Sequence, residues 1–251
     1  RDVLGSRGLG DVYKRQFVYY ETLKNRYPNV RILTWKKEFN YSAINNFAVR
    51  EAQGEYLLFL NNDVEIITEN WLEEMLQLCQ QKDVGMVGAK LYYPDDTIQH
   101  AGVVVGLGGV AAHVLCKLPR DAEGYMGRLR CVQEISAVTA ACMMVKTSVF
   151  KAVRGFDEEL KVAFNDIDLC MKVRKYGVKI IFTPYAELYH YESKSRGMED
   201  TPEKQLRFSR EVNCFRRKWE RELLKGDPYY NPNLTLNNTD CSLRKQEKNG
   251  D

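Results

Sequence analysis

The chain has 251 residues, 44% of them hydrophobic and 11% aromatic, which is enough to bury a sizeable core as one large domain. Its 37 Lys and Arg against 34 Asp and Glu leave a net charge of +3, too small to mark a nucleic-acid-binding protein. No stretch approaches the roughly 20 apolar residues of a membrane span and the N-terminus has no basic-then-apolar export signal, so the chain reads as soluble and cytoplasmic.

Residues 1–16 mix glycine and serine with charges and show no period, so they read as a non-native or disordered leader, with the run 7–16 resembling translated adapter sequence. From Phe17 the signals alternate. A helix is predicted over 17–27, a strand over 30–34, and a second helix opened by Asn40 with Ile44, Phe47, Ala48 and Ala52 on its apolar face. The apolar run 55–60, bounded by Gly54 and by Asn61-Asn62-Asp63, has the form of a buried parallel strand. Thr68 is positioned to cap a helix carrying Leu72, Met75, Leu76 and Cys79. Strands follow over 84–93, 98–105 and 137–145, then a helix over 166–176 closed by Gly177, then strands over 179–182 and 186–191. A helix over 202–224 carries Phe208, Val212, Phe215, Trp219 and Leu223 as a stripe, and 227–251 reads as a loose polar tail. Alternating strands and helices predict an α/β fold with a mixed, largely parallel sheet flanked by helices. The seven scattered cysteines, odd in number, predict free thiols.

Three places carry chemistry. Asn61-Asn62-Asp63 closes the buried strand at its carboxyl end, where open α/β sheets bind ligands; the same residue types also make turns for backbone reasons. A hard divalent cation takes one or two protein carboxylates and completes its shell with substrate phosphates, so Asp63 is a candidate ligand. Phe164-Asn165-Asp166-Ile167-Asp168 opens a helix soon after Gly155-Phe156-Asp157-Glu158, and its acids serve either as cap and dipole partners or as a general base. His190 stands on a strand beside tyrosines and Glu192, and is either structural or a ligand of a transition metal.

Taken together and in order, residues 40–46, GEYLLFLNND (54–63), GFDE (155–158), FNDIDLC (164–170) and His190 resemble the inverting family-2 glycosyltransferases of GT-A fold, closest to rhamnosyltransferase-like bacterial members, over about 30–197. The resemblance implies a nucleotide-diphospho-sugar transferase of Rossmann-like architecture, with a partial GT-A domain over 17–226 and with the family's first donor-binding strand expected to be missing ahead of Phe17. By the same resemblance Asp63 holds a divalent metal (Mn²⁺ or Mg²⁺), His190 joins that metal or the donor diphosphate, Asn61 and Asn62 lie near the donor phosphate or ribose, Asn45 and Ser42 contact the nucleotide-sugar, and Asp166 is the base. Asn165 stands where the family often has glutamate. The implied reaction moves a sugar with inversion from a nucleotide-sugar to a saccharide or lipid-linked acceptor in cell-surface polysaccharide synthesis, on the cytoplasmic side and in part at the inner face of the membrane.

Two rival readings bear on the same residues. The run Gly106-Leu107-Gly108-Gly109-Val110-Ala111 matches G-x-G-x-x-A but lacks a following amphipathic helix, so it reads as a loop on the acceptor side, with His100 and His113 structural. A catalytically impaired fragment or binding module would keep the fold without activity. The basic helix with Arg207, Arg210, Arg216, Arg217, Lys218 and Arg221 then lies on a membrane or partner, against the reading in which its stripe packs on the domain.

Overall fold

A computed structural model describes residues 2–4, 14–192 and 201–245, with side chains from Tyr19 onward. Most of the stretch read as a leader and the last residues of the tail lie outside the described residues. Within that leader, β1 (Asp2–Leu4) is a strand, and α1 (Lys14–Arg26) follows. The strand predicted over 30–34 does not form: Val30 and Leu33 are exposed and no sheet edge receives them. α2 (Tyr41–Glu51) begins as predicted, with the extended Asn40 accepting from Ala43 N at 3.0 Å. Its buried face is Ser42, Ala43, Asn45 and Val49, not the predicted Ile44, Phe47 and Ala48, because the helix docks its polar side on a loop described below.

β2 (Tyr56–Leu60) buries Leu57, Leu58 and Phe59 on both faces, β3 (Val64–Ile66) turns back, and α3 (Trp71–Cys79) buries Trp71, Met75 and Cys79. Thr68 does not cap α3, since Asn70 holds that position and Thr68 Oγ1 accepts from Glu187 N at 3.2 Å. After the fully buried β4 (Val84–Tyr92), the strand predicted over 98–105 splits into β5 (Ile98–His100) and β6 (Val103–Val105). Gly102, at φ +101°, makes the break. β7 (Ala111–His113) pairs with β6 in a hairpin whose turn uses the glycines at 106–109. β8 (Gln133–Glu134) precedes β9 (Cys142–Lys146), so only the second half of the strand predicted over 137–145 is extended pairing. α4 (Thr147–Ala152) leads to α5 (Asn165–Tyr176), which Gly177 closes in the left-handed region. The two short strands predicted after it are one, β10 (Lys179–His190), with a register shift between Phe182 and Glu187. The long final helix is two, α6 (Pro202–Lys218) and α7 (Glu220–Lys225), breaking at Trp219.

The main sheet runs β1-β2-β9-β4-β10-β3. β1 with β2 and β4 with β10 are parallel, whereas β9 is antiparallel to both β2 and β4, and β3 to β10. The sheet is therefore mixed and not largely parallel: the turn at 140–141 delivers β9 back from the carboxyl edge of β2, and so reverses it. α3 covers one face through Met75 and Cys79 against Leu58, Val87, Met144 and Leu188. α5, with Phe215 and Trp219, covers the other against Phe59, Met86, Val145 and Phe182. Residues 227–245 are not a loose tail, since Tyr230, Leu234 and Cys241 are buried and Asp227 Oδ2 accepts from Val105 N at 2.8 Å. Among the described residues no helix is long and apolar enough to cross a membrane, and all seven cysteines are free thiols.

Candidate active site

The carboxyl ends of β2 and β10 meet through side chains. β3 pairs His190 with Val64, so the strand that carries the histidine returns beside the turn 61–63, and Tyr191 N donates to Asp63 O at 2.8 Å. His190 Nε2 lies 3.3 Å from Asp63 Oδ1 and 3.1 Å from Asn61 Nδ2, while Asn62 is exposed next to them. On the far side of the ring, Nδ1 is 2.6 Å from Gln99 Oε1, and the Gln99 amide nitrogen donates to His190 O at 3.1 Å. An amide oxygen accepts only, so Nδ1 carries a proton, and in the neutral ring Nε2 accepts from Asn61 Nδ2.

Asp166 sits in the first turn of α5, partly accessible, its Oδ2 accepting from Ala140 N at 3.2 Å and its Oδ1 from Ile167 N at 2.8 Å. Three consecutive residues tie this carboxylate to the strand ends. Ala141 O accepts from Asn61 N at 2.9 Å, Ala140 N serves Asp166, and Thr139 N donates to His100 Nε2 at 3.4 Å. Tyr41 adds a fourth link, donating its hydroxyl to Ala140 O at 3.2 Å; burial first, and then the Asp166 carboxylate, push its phenol pKa up. The segment 139–141 thus brings Asn61 and Asp166 to one edge of the sheet.

The neighbouring acid Asp168 points the other way. It is fully buried, within 2.7 Å of Lys218 Nζ and 3.3 Å of Lys172 Nζ, and accepts from Trp219 Nε1 at 2.8 Å. Lys218 also pairs with Asp157, so both acids flanking Asp166 in the sequence reading are committed to lysines beneath the helix. Glu211, an acid inside the basic α6 and 3% exposed, accepts from Val162 N and Ala163 N at 2.9 and 3.0 Å and so fixes the loop that enters α5. Sequence reasoning passed over Glu211, Gln99 and Tyr41. A lone acid among arginines was the available signal for the first.

Ser42 and Asn45 are buried and turned to backbone: Ser42 Oγ donates to Leu160 O at 2.5 Å and Asn45 Nδ2 to Tyr41 O at 2.9 Å. Asn46, whose amide accepts from Phe156 N at 2.9 Å and donates to Phe156 O at 3.0 Å, joins Ser42 in clamping the loop 155–161 onto α2, while Asn45 bonds within the helix. Gly155 is required there. Its φ is +62° and a Cβ would meet Asn46 Oδ1 at 2.6 Å.

Among the described residues no three His, Cys, Asp or Glu side chains converge on one metal position. The donors that do converge, the Asp63 carboxylate and the His190 imidazole 3.3 Å apart, are an oxygen and a nitrogen that would suit a divalent ion completing its shell with substrate phosphates. With the proton held on Nδ1 by Gln99, Nε2, which here accepts from Asn61 Nδ2, is the atom that would face such an ion.

The fold is that of the GT-A nucleotide-sugar transferases: the chain superposes on GalNAc-T7, solved with UDP, GalNAc and Mn²⁺, with a TM-score of 0.65 at 14% identity, over 88% of this chain and 43% of that one. Residues 12–211 match the model of the glycosyltransferase-like family, and the chain belongs to that family. It is 51% identical to the uncharacterized protein y4gI of Sinorhizobium fredii, over 93% of this chain and 26% of that protein. It is 41% identical to the O-antigen biosynthesis protein RfbC of Myxococcus xanthus, over 89% and 17%. It is 23% identical to the N-acetylglucosaminyl-diphospho-decaprenol L-rhamnosyltransferase of Mycobacterium tuberculosis, over 69% and 62%. The chain spans 26% and 17% of the length of the first two relatives.

Proposed function

We propose that this chain catalyses transfer of a sugar, with inversion, from a nucleotide-diphosphate-sugar to an acceptor hydroxyl during synthesis of a bacterial surface polysaccharide. One observation carries the reading: the segment 139–141 holds the Asp166 carboxylate and the Asn61 end of the Asp63–His190 pair at the same sheet edge. A base and an anion-binding site must face one substrate for a single displacement. The names of the rhamnosyltransferase and O-antigen relatives support the substrate class.

In this reading Asp63 and His190 hold a divalent cation, which when bound supplies positive charge to the leaving diphosphate. Asn62, exposed beside them, and Asn61 donate to the phosphate or ribose of the donor. Asp166 takes the proton of the attacking hydroxyl at one carboxylate oxygen while Ala140 N and Ile167 N hold the other interactions of the group. Ser42 and Asn45 act on the donor through the loop and helix they hold in place. The apolar stripe of α6 packs inward through Phe215 and Trp219, and this favours docking on the domain over membrane contact.

The test is transfer itself. The protein incubated with a panel of nucleoside-diphosphate sugars and lipid-linked or free saccharides, dTDP-rhamnose included, should form a glycoside whose anomeric configuration by NMR is opposite to the donor's, and should lose the activity in chelator. A product of retained configuration contradicts the mechanism, and equal activity in chelator contradicts the cation.

A further inference from the structure

The imidazoles of His100 and His113 form a pair whose proton positions follow from their partners. Thr139 N donates to His100 Nε2 at 3.4 Å, so that nitrogen carries a lone pair. The two Nδ1 atoms are 2.9 Å apart, with the rings edge to face at 4.9 Å, so one Nδ1 holds the hydrogen and the other accepts it. A neutral imidazole has a single N–H. With its Nε2 accepting, His100 carries that hydrogen on Nδ1, and His113 Nδ1 accepts it. The N–H of His113 is therefore on Nε2, the ring edge turned away from His100. His100 is fully buried, and burial, followed by the neighbouring His113 and His190, holds its pKa well below the ordinary imidazole range, as a neutral ring requires.

The pair is tied to the same segment as the proposed base. Thr139 N serves His100 and the next amide, Ala140 N, serves Asp166, so the relay and the carboxylate hang from successive residues of one segment. His113 is only half-buried, at the end of a hairpin strand, and the carboxylates of Asp166 and Glu192 are the negative charges that act on it.

We infer that His113 is a tautomer-locked hydrogen-bond donor, set by His100, that holds a sugar hydroxyl through Nε2–H next to Asp166. The inference rests on the transferase reading for its ligand, but on hydrogen-bond geometry and the burial of the rings for its protons. A fixed donor beside a carboxylate acceptor is the arrangement that orients a hydroxyl, which needs one partner of each kind. His100 is a positioning residue that acts only through its neighbour.

The chain contains three histidines, so nitrogen-15 NMR of the histidine-labelled protein near pH 7.5 reads the tautomers directly. The spectrum should show Nδ1–H for His100 and Nε2–H for His113, and His100→Phe should release His113 into a mixture. Nε2–H on His100 or Nδ1–H on His113 in the parent protein overturns the inference. Kinetically, His113→Phe should raise one KM about three- to tenfold, as loss of a single neutral hydrogen bond does, and His113→Gln should restore part of it. A rise in donor KM assigns the hydroxyl to the transferred sugar, and a rise in acceptor KM assigns it to the acceptor. Unchanged kinetic constants in a folded His113→Phe protein contradict the contact. The predicted tautomers in a parent that transfers no sugar sink the transferase reading and the contact with it; wrong tautomers in an active parent sink this inference alone.

Discussion

Asp63 and His190, 127 positions apart by the numbering of the chain, meet at 3.3 Å between Oδ1 and Nε2 because β3 folds the turn 61–63 back onto the end of β10. If the pair holds the cation, Asp63→Ala removes its carboxylate. Calorimetry with a nucleoside diphosphate should then show metal-dependent binding in the parent and none in the variant. Binding that stays metal-dependent in the variant contradicts the assignment.

Gln99 sets which nitrogen of His190 is free. Gln99→Met keeps the side-chain length but removes the acceptor at 2.6 Å, so the imidazole can place its proton on either nitrogen. Supporting groups of this kind are worth about 10- to 100-fold in metal affinity. Metal titration followed through nucleotide binding should show a loss of that order while the melting temperature stays close to the parent's.

Asp168 is a buried carboxylate with two lysines and an indole for partners, and Lys218 is shared with Asp157. Removing one member of such a group strands a charge in the core, which costs about 3–5 kcal/mol. Denaturant unfolding of Asp168→Ala should show a loss of that size, whereas replacing the exposed Glu73, on the outer face of α3, should change stability little. A small effect at Asp168 would show that the ion pairs do not hold α6 to α5.

Burial lowers the pKa of both His100 and His113, with His190 also disfavouring charge and Asp166 and Glu192 opposing part of the shift at His113. Unfolding frees both rings to bind protons at their ordinary pKa near 6.5. The folded state is then favoured above that value and loses stability as pH falls below it, by up to about 1.4 kcal/mol per pH unit for each ring. Melting curves from pH 7.5 to 5.5 should fall, and the double variant His100→Phe/His113→Phe should fall less steeply. Equal slopes in the two proteins contradict the neutral pair.

The strand end at Asn61-Asn62-Asp63 and the helix start at Asp166 were legible in the sequence because abrupt switches from apolar runs to turn-forming or acidic residues mark element ends. The segment 139–141 was not. It works through backbone N–H and C=O groups that every residue offers, so no side-chain pattern announces it. Glu211 was hidden for a related reason: an acid on a basic helix is usually solvated, and only the docking of α6 buries it against two free amides. Residues 42–46 carried the opposite ambiguity. Their polar side chains suit a ligand or a loop equally, and the structure turns Ser42, Asn45 and Asn46 to backbone. Strand direction also escaped, because a buried run such as Cys142–Lys146 looks the same in parallel and antiparallel pairing.

Asp166→Asn tests the account most directly. The amide keeps one oxygen to accept from Ala140 N or Ile167 N and loses the other acceptor, so the start of α5 should survive at a stability cost of about 1–3 kcal/mol, and nucleotide affinity should match the parent's. It cannot take a proton from the acceptor. Steady-state transfer with saturating donor and acceptor should show kcat reduced by a factor on the order of 10² to 10⁴. A folded Asp166→Asn protein that transfers sugar at the parental rate would contradict the account, since Asp168 is buried against two lysines and Asp157 is paired with Lys218.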